Sequence, residues 1–486
     1  MCKQDNKLKD KRLNLGKILL SASVFLVIVS SFSVPAFAIS NDEIMKELKR
    51  LQQRVQKVEA KLAITEKELI DTKHELVETQ HDLVDAQTDT QKNNIKFSKS
   101  TGAPKFSSDD GRSSMEINGR VFVDGAQLPK QYSKGRTKDD KVYDSQTGTE
   151  IRKAYLGVEG KFWKDWAYDL TVDFAENEVD IKDANISYKG WKNNEITMGQ
   201  QKPDFGLENS QSSKYSQFME RGLTDEFSPD RDLGISWHNV QDWGAFTLGA
   251  YIPNSIDTDE LGKHRADAYT YIGRITFAPV DLSSQVVHLG ASGAYSDYSS
   301  KEVIDFDARP ESHLSEKIVG SRDILDPDST SRYGLEAAYS GYGFLVESEY
   351  VATSTRGIHE DGPGDRETFD YNAWYVSASY MLTGESHPYS KKKGTFGRVT
   401  PDKPLSKGGW GAWEMGLRFS SIDLNDNNYN GGEMDDITLG LNWYLENNLK
   451  VMLNYINYDA DNYIDSSKYV SDQDEHIVQT RIQWDF

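Results

Sequence analysis

The 486-residue sequence has one cysteine, Cys2, and beyond residue 38 it has no apolar run long enough for a membrane helix. One cysteine cannot form an intrachain disulfide or a thiolate-ligated metal site, so the chain is not a disulfide-stabilised scaffold. No H-E-x-x-H, G-x-S-x-G or Walker pattern occurs, and the histidines are scattered. We therefore predict that the chain is not an enzyme and needs no metal or cofactor.

Positive charge is also scarce. The 56 lysines and arginines are outnumbered by 77 aspartates and glutamates, which gives a net charge of -21. A chain this acidic repels nucleic acid, so we expect no nucleic-acid partner. The length and the 37% hydrophobic content fit one large β domain with an appendage, or two or three smaller domains.

The N-terminus has the features of a secretory signal peptide. A lysine-rich start precedes the apolar segment 18–29, and Ala36-Phe37-Ala38 fits the small-x-small cleavage rule. The alternative, a membrane anchor helix, needs an apolar run of about 20 residues. We predict that residues 1–38 are removed on export and that the mature chain begins at Ile39.

A heptad repeat follows the signal peptide. Leucine or valine recurs at every seventh residue from Leu48 to Leu83, and threonines occupy the later repeats of the second apolar position. This pattern predicts an α-helical coiled coil over residues 41–90. A single amphipathic helix is the alternative, and the pattern does not choose between two and three strands. Polar sequence over residues 91–112 predicts a linker.

From residue 113 onward, apolar and polar side chains alternate with a period of two. The segments 168–174 and 437–445 are clear examples. Soluble antiparallel sandwiches alternate as well. Segments of about ten residues, tryptophans at their ends and low hydropathy are instead typical of a membrane barrel with a polar lumen. Residues 113–486 contain sixteen such segments, the even number that a single-chain bacterial barrel requires.

The predicted fold class is therefore all-β: a 16-stranded antiparallel transmembrane β-barrel preceded by an N-terminal α-helical coiled coil. The connections support this, because short turns alternate with long loops such as 202–231 and 298–330, as at the periplasmic and outside ends of a barrel. The final stretch, "HIVQTRIQWDF", predicts the closing strand, with Phe486 at the membrane edge. A barrel of this size encloses an aqueous channel.

An ordered set of segments resembles the phosphate-selective porin O and P family. The segments are "IRKAYLGVEGKFWKDWAYDLTVDFA", "IKDANISYKGW", "ITMGQQKPDFGLE", "SKYSQFMERGL", "YMLTGESHPY", "GAWEMGLRFSSIDLND" and "ITLGLNWYLENNLKVMLNY". The resemblance covers about residues 112–486. It implies a homotrimer of barrels in the bacterial outer membrane that passes small anions such as phosphate, with the coiled coil in the periplasm.

The resemblance also implies that cations inside the barrel guide the anion. Following the alternation inward gives candidate cations on the lumen wall, with acids between them. The alternative is that these charges hydrate the pore and pair across strands. The candidates are Arg120, Lys153, Arg274, Arg418 and Arg481.

Two long connections are candidates for narrowing the pore. In this family the loop that corresponds to 202–231 folds inward. The periplasmic segment 386–410 is too long for a turn and carries six cations against one acid. Its alternative role is a solvated basic loop that touches lipid headgroups or the cell wall. The candidate anion-binding residues of the two segments are Lys202, Lys214, Arg221, Arg231, Lys391, Lys392, Lys393 and Arg398.

The functional hypothesis is an outer-membrane porin with a water-filled, anion-preferring diffusion channel of the phosphate or polyphosphate class. A general non-specific porin is one alternative. The other is a structural tether whose coiled coil binds peptidoglycan, since six heptads at about 1.5 Å per residue extend roughly 65 Å. Deleting residues 41–90 distinguishes a pore from a tether, because a pore keeps its conductance whereas a tether loses cell-wall attachment.

Overall fold

The computed structural model describes two units, Met1–Thr88 and Asp89–Phe486. The described residues are most of 42–73, then 96–98, 102–129, 131–132, 142–143 and 146–486, apart from 253–267, 299–302, 361, 363, 427–428 and 466–467. The predicted signal peptide lies outside the described residues, as do residues 74–90 of the predicted coiled coil.

The first unit is helical where it is described. The helical stretches are 52–58, 60–65 and 67–73, with shorter ones before them. The hydroxyls of Thr65 and Thr72 donate to the carbonyl four residues earlier, at 3.0 and 2.7 Å, so threonine is satisfied within its own helix. No helix in the described residues is long and apolar enough to cross a membrane. Association of this helix with others stays a prediction.

The second unit is a closed antiparallel barrel of sixteen strands. The strands are β1 (Ser114–Leu128), β2 (Gln146–Phe162), β3 (Trp166–Asp173), β4 (Asp180–Tyr188), β5 (Asn194–Gln201), β6 (Asp232–Val240), β7 (Gly244–Ile252), β8 (Ala268–Leu282), β9 (Gln285–Tyr298), β10 (Ile324–Gly341), β11 (Phe344–His359), β12 (Glu367–Met381), β13 (Ala412–Asp426), β14 (Tyr429–Glu446), β15 (Leu449–Asp465) and β16 (Lys468–Asp485). The predicted number and order of strands are confirmed.

Short elements lie in the connections and in the segment that precedes β1. Those of two to four residues in extended conformation are Lys96–Phe97, Pro104–Ser107, Gln131–Tyr132, Val142–Tyr143, Val303–Ile304, Asp307–Ala308, Val319–Gly320, Tyr389–Ser390 and Thr395–Phe396. The helical ones are α1 (Leu207–Ser210) and the 3-10 turns Ala175–Asn177, Leu223–Phe227 and Leu405–Lys407. Pro104–Ser107 pairs with the start of β1, so part of the predicted linker 91–112 extends the barrel sheet.

The alternating apolar and polar residues of the sequence lie on the outer and inner faces of the barrel, respectively. Along β14, Leu439 and Leu441 are exposed on the outside, whereas Thr438 and Asn442 are buried inside. An apolar outer face meets lipid and a polar inner face meets the lumen. Because this pattern depends only on local sequence, it predicts strands well without knowledge of their partners.

Strand lengths are uneven, and the expectation of about ten residues per strand is wrong for many of them. Strands β10–β16 have 15 to 18 residues, whereas β3–β7 have only 8 or 9. The long strands continue at the outside end as paired hairpins, where polar sequence such as "YNGGEMDD" hides the alternation.

The last strand closes the barrel against the first. Asp485 of β16 lies opposite Arg120 of β1. The N–H of Phe486 donates to the carbonyl of Gly119 at 3.1 Å, and the N–H of Gly119 donates back to the Phe486 carbonyl at 3.0 Å. A Cβ at Gly119 would lie 2.6 Å from the Phe486 ring. The predicted closing strand is thus confirmed, and only glycine leaves room for its terminal ring.

Candidate functional site

The loop 202–231 lies inside the barrel. Phe205, Leu207, Phe218 and Phe227 of this loop are almost completely buried. Two glycines of the wall make room for it, because a Cβ at Gly416 or Gly440 would come within 3.1 or 3.2 Å of the Phe218 ring. The expected inward fold of this loop is therefore observed.

Backbone caps fix the first turn of the loop to β11. The carboxylate of Glu349 accepts the N–H groups of Leu207 and Glu208 at 2.5 and 2.9 Å. The hydroxyl of Tyr375 on β12 donates to the same carboxylate at 2.9 Å. A carboxylate that satisfies the first N–H groups of α1 holds this turn firmly to the wall.

Three predicted lumen arginines fasten the loops to the wall. Arg274 is 2.7 Å from Glu336 and 3.0 Å from Asp204 of the loop. Arg481 is 2.6 Å from Asp124 and 2.5 Å from Glu220 of the loop. Because each guanidinium is buried between two carboxylates, neither is available to a passing anion.

Arg418 on β13 performs the same fastening for two loops at once. Its guanidinium is 3.1 Å from Glu208 of loop 202–231 and 2.5 Å from Glu311 of a second loop, 303–320. Thr438 of β14 also donates to Glu311, at 2.5 Å. Sequence reasoning correctly placed Arg274, Arg418 and Arg481 on the inner face but could not find their partners.

Loop 303–320 also folds into the barrel, which sequence reasoning missed. Phe306, Ile318 and Val319 are buried against the inner wall. The ring of Phe306 packs edge-on against Phe227 of the first loop, with centroids 5.3 Å apart. The signal available in the sequence is the presence of these apolar residues in a connection that is otherwise polar.

Two of the cavities in the described part of the barrel lie beside these loops and strands. An outer one of about 230 Å³ lies between the two loops and includes Arg152 and His313. A larger one of about 360 Å³ lies against β1–β5. Its polar lining residues are Lys105, Ser114, Glu116, Glu159, Lys161, Asp169, Asn185, Ser187, Lys189, Glu195 and Thr197. We call this larger space the wall chamber.

Four predicted cations form a group that has no carboxylate partner among the described residues, which we call the cation cluster: Arg120, Lys153, Lys202 and Lys214. The ring of Tyr155 brings two of them together, because Arg120 is 4.8 Å and Lys153 is 5.9 Å from its centroid. Arg120 donates to the Ser213 hydroxyl at 2.9 Å, and Lys202 donates to the carbonyl of Asn209. Within the described residues none of the four forms an ion pair.

Burial and like charges act on the two lysines that the loop contributes. Burial, with the positive charges of Arg221 and Arg231, holds the pKa of Lys202 well below its ordinary value. Burial, with Arg120 nearby, lowers the pKa of Lys214 to about 8. A desolvated ammonium without a counter-ion is stabilised when an anion arrives, so both positions favour anion binding.

The other two predicted loop cations are partly neutralised. Arg221 is 2.8 Å from Asp225, and Arg231 is 3.3 Å from Asp183 on β4. They line the same region as the cation cluster, since both are close enough to lower the pKa of Lys202. Their net contribution to the local potential is therefore smaller than that of an unpaired cation.

The basic segment 386–410 lies at the periplasmic end. Lys391 is 2.8 Å from Asp281 and donates to the carbonyl of Asp242, in the turn between β6 and β7. Lys392 is 3.2 Å from Glu195 at the chamber. Arg398 of this segment forms an ion pair with Asp485 of β16. The side chain of Lys393 is exposed and forms no ion pair with any described residue.

The structure thus divides the thirteen candidates into two groups. Most have a carboxylate partner, whereas the cation cluster and Lys393 are unpaired within the described residues. No group of three or more metal-binding side chains occurs in the described ranges. Five of the thirteen candidate cations therefore lack a carboxylate partner among the described residues.

Comparison with known proteins adds an independent finding. The family model described as phosphate-selective porin O and P matches residues 126–486. The chain is 30% identical over 368 residues to an uncharacterized protein of Caulobacter vibrioides, covering 73% of this chain and 70% of that protein. It is 24% identical over 435 residues to Porin O of Pseudomonas aeruginosa, covering 80% and 92%.

Solved structures with a similar fold include two outer-membrane proteins. One is the outer membrane channel DcaP of Acinetobacter baumannii, with a TM-score of 0.48 and 12% identity over 78% of this chain and 99% of that chain. The other is an anion-selective porin from Comamonas acidovorans, with a TM-score of 0.44 and 13% identity over 77% and 100%.

Proposed function

The chain belongs to the phosphate-selective porin O and P family and is an outer-membrane porin, and from this premise we propose that its channel prefers small anions of the phosphate class. Family and barrel indicate a channel rather than an enzyme. The finer statement, a preference for anions, rests on the side chains that line the passage.

The cation cluster is the observation that carries the proposal. Arg120 and Lys153 project from the wall, while Lys202 and Lys214 belong to the inward loop, so cations of the wall and of the loop lie close together. Cations without partners in a confined aqueous channel create a potential of several kT that concentrates anions. The acidity of the rest of the chain acts weakly here, because charges more than about 8 Å away are largely screened.

Reversal potentials test the proposal directly. Trimers in a planar bilayer under a salt gradient should reverse on the anion side, and phosphate should block chloride current. Replacing Arg120, Lys153 and Lys202 together by alanine should abolish both effects. Lys192→Ala, in the exposed turn between β4 and β5, is the matched control. A triple variant that folds and keeps its anion preference would contradict the proposal.

We propose the basic segment 386–410 as a second binding site for anions. Lys391, Lys392 and Lys393 are brought together at the periplasmic mouth, and Lys393 is exposed there. A ring of lysines or arginines is a recognised way to select anions. We propose that this segment accepts anions that leave the cation cluster, with Arg398 fixing its position through Asp485.

We also propose a homotrimer whose contacts involve the wall of β3–β7. Strands of 8 or 9 residues, at roughly 3.3 Å per residue and a tilt of about 40°, give a wall roughly 20 Å tall. This is less than the apolar band of about 25 Å that a barrel presents to lipid. Covering the low wall with another subunit removes this mismatch.

The N-terminal region completes the proposal. We propose that residues 1–38 are cleaved, and that residues 41–90 form a coiled coil in the periplasm, where a trimer supplies the other helices. Attachment to peptidoglycan stays a prediction of the heptad length alone. Co-sedimentation of the mature trimer with purified cell wall, compared with a variant lacking 41–90, tests it.

A further inference from the structure

Three carboxylates form a row across the first three strands. Glu116 of β1 lies directly opposite Glu159 of β2, and Glu159 lies directly opposite Asp169 of β3. All three line the wall chamber. Like charges directly opposite each other in an antiparallel sheet repel, so this acidic row costs stability.

Among the residues that the structure describes, one member of the acidic row has a cationic partner. Lys105 is 2.8 Å from Glu116. Asp169 accepts a hydrogen bond from Thr171 at 2.9 Å. Within the described part of the chain Glu159 forms no ion pair. Two carboxylates therefore face the water of the chamber with their charge uncompensated by a direct contact.

The acidic row lies on the periplasmic side of the cation cluster. Arg120 follows Glu116 by four residues on β1, and Tyr155 precedes Glu159 by four on β2. Four residues span roughly 13 Å along a strand, which the strand tilt reduces to roughly 10 Å along the barrel axis. The two layers are near neighbours, since Glu159 is close enough to Lys214 to act on its charge.

We propose that the acidic row makes the channel discriminate among phosphate compounds. The property that it selects is the charge of the substituent attached to the phosphate group that the cation cluster holds. This inference rests on the proposed anion passage. A single phosphate held at the cation cluster keeps away from the acidic row. The far end of a linear triphosphate is pushed against Glu159 and Asp169, where repulsion offsets its extra attraction to the cations.

A neutral hydroxylated tail meets a different environment in the same place. Its hydroxyls can donate to Glu159 and Asp169, and Asn185, Ser187 and Thr197 supply further polar groups in the wall chamber. The solute class that fits is therefore a phosphate monoester of a small polyol or sugar, together with free phosphate. Chains of phosphate are disfavoured despite their greater charge.

Block of chloride current by three solutes tests the inference. The solutes are inorganic phosphate, glycerol 3-phosphate and linear triphosphate, applied to trimers in a planar bilayer without divalent cations. In the unaltered protein, triphosphate should block no more strongly than phosphate. The double variant Glu159→Gln with Asp169→Asn should strengthen block by triphosphate by about three- to tenfold and change block by phosphate by less than about twofold.

Two further variants separate the acidic row from general charge effects. Glu178→Gln removes an exposed carboxylate from the turn after β3 and should leave every ratio unchanged. Asp169→Glu keeps the charge and should behave as the unaltered protein, which also shows that the position tolerates substitution. Heat-modifiable migration confirms that each variant is folded.

The outcomes are distinct. If phosphate blocks but triphosphate blocks more strongly, and the double variant leaves that ratio unchanged, the acidic row does not select and the inference is overturned. If phosphate does not block the unaltered protein at all, the proposed anion passage fails and the inference fails with it. The inference is supported if block by triphosphate becomes stronger in the double variant and in neither control variant.

Discussion

The guanidinium of Arg481 lies 2.5 Å from the carboxylate of Glu220, and this contact joins the closing strand of the barrel to the loop inside it. Arg152 of β2 is 3.0 Å from the other oxygen of the same carboxylate. Burial alone would raise the pKa of Glu220, but Arg152 and Arg481 hold it well below its ordinary value. The loop is thus anchored from both sides of the barrel seam.

Removing one anchor should loosen the loop. Arg481→Ala leaves the buried carboxylate of Asp124 without its cation and removes one of the two arginines that pair with Glu220, which costs about 3–5 kcal/mol. We expect larger and noisier single-channel conductance and a lower temperature of heat modification. The double variant Arg481→Ala with Glu220→Gln should recover part of that loss. Unchanged conductance and stability in Arg481→Ala would mean that the loop is held elsewhere.

Acid should weaken the same anchor. A carboxyl whose pKa is depressed in the folded state contributes stability above its unfolded pKa, and this stability is lost as pH falls through the folded pKa. The Glu220 anchor should therefore persist at neutral pH and fail only in strong acid. Channel noise recorded from pH 7 downward checks this, and Glu220→Gln should lack the transition.

Anion preference should fall as pH rises. The pKa of Lys214 is lowered to about 8, first by burial and then by Arg120, with Asp485, Arg398 and Glu159 also acting on it. Its positive charge is present below that pH and disappears above it. We expect the reversal potential to move toward cations between about pH 7 and 9. Lys214→Arg stays charged throughout, so in that variant the shift should be smaller.

The basic segment should contribute to selectivity. Changing Lys391, Lys392, Lys393 and Arg398 together to alanine should shift the reversal potential toward cations and weaken block of chloride current by phosphate. Trimers must remain intact for this comparison. If both quantities stay constant, the segment is a surface loop and selection occurs at the cation cluster alone.

The C-terminal ring should be needed for assembly. Deleting Phe486 removes the pair of hydrogen bonds to Gly119 and the ring that fills the space beside it. Gly119→Ala should cause a related defect, since its Cβ would lie 2.6 Å from both the ring and the Tyr155 carbonyl. The yield of heat-modifiable trimer in the outer membrane measures both. A normal yield from either variant would contradict this account of the seam.

Local sequence was sufficient to predict the strands of the barrel. It was insufficient to predict how side chains and loops are arranged inside the barrel. The period-two alternation placed β5 and the seam correctly, because the inner or outer face of a strand depends only on position along it. The acidic row could not be read in this way. The alternation places Glu116, Glu159 and Asp169 on the lumen face, but their alignment depends on the register between strands, which no single strand encodes.

The inner arginines illustrate a second limit. Arg274, Arg418 and Arg481 were expected to serve a passing anion, since alternation shows that a side chain points inward and says nothing about what it meets. Their partners lie 200 residues or more away for Arg418–Glu208 and Arg481–Glu220. Lys202 and Lys214 were placed inside the barrel because their loop was expected to fold inward. Loop 303–320 was missed because no comparable expectation existed.

Arg418 touches both inward loops, and this makes their motions thermodynamically linked. A fluctuation that withdraws Glu208 leaves the guanidinium free to follow Glu311, and the reverse holds equally, so the free energy of opening either loop depends on the state of the other. The pair should then open as one cooperative unit. Current fluctuations of a single barrel would accordingly show one gating timescale where two independent loops would give two.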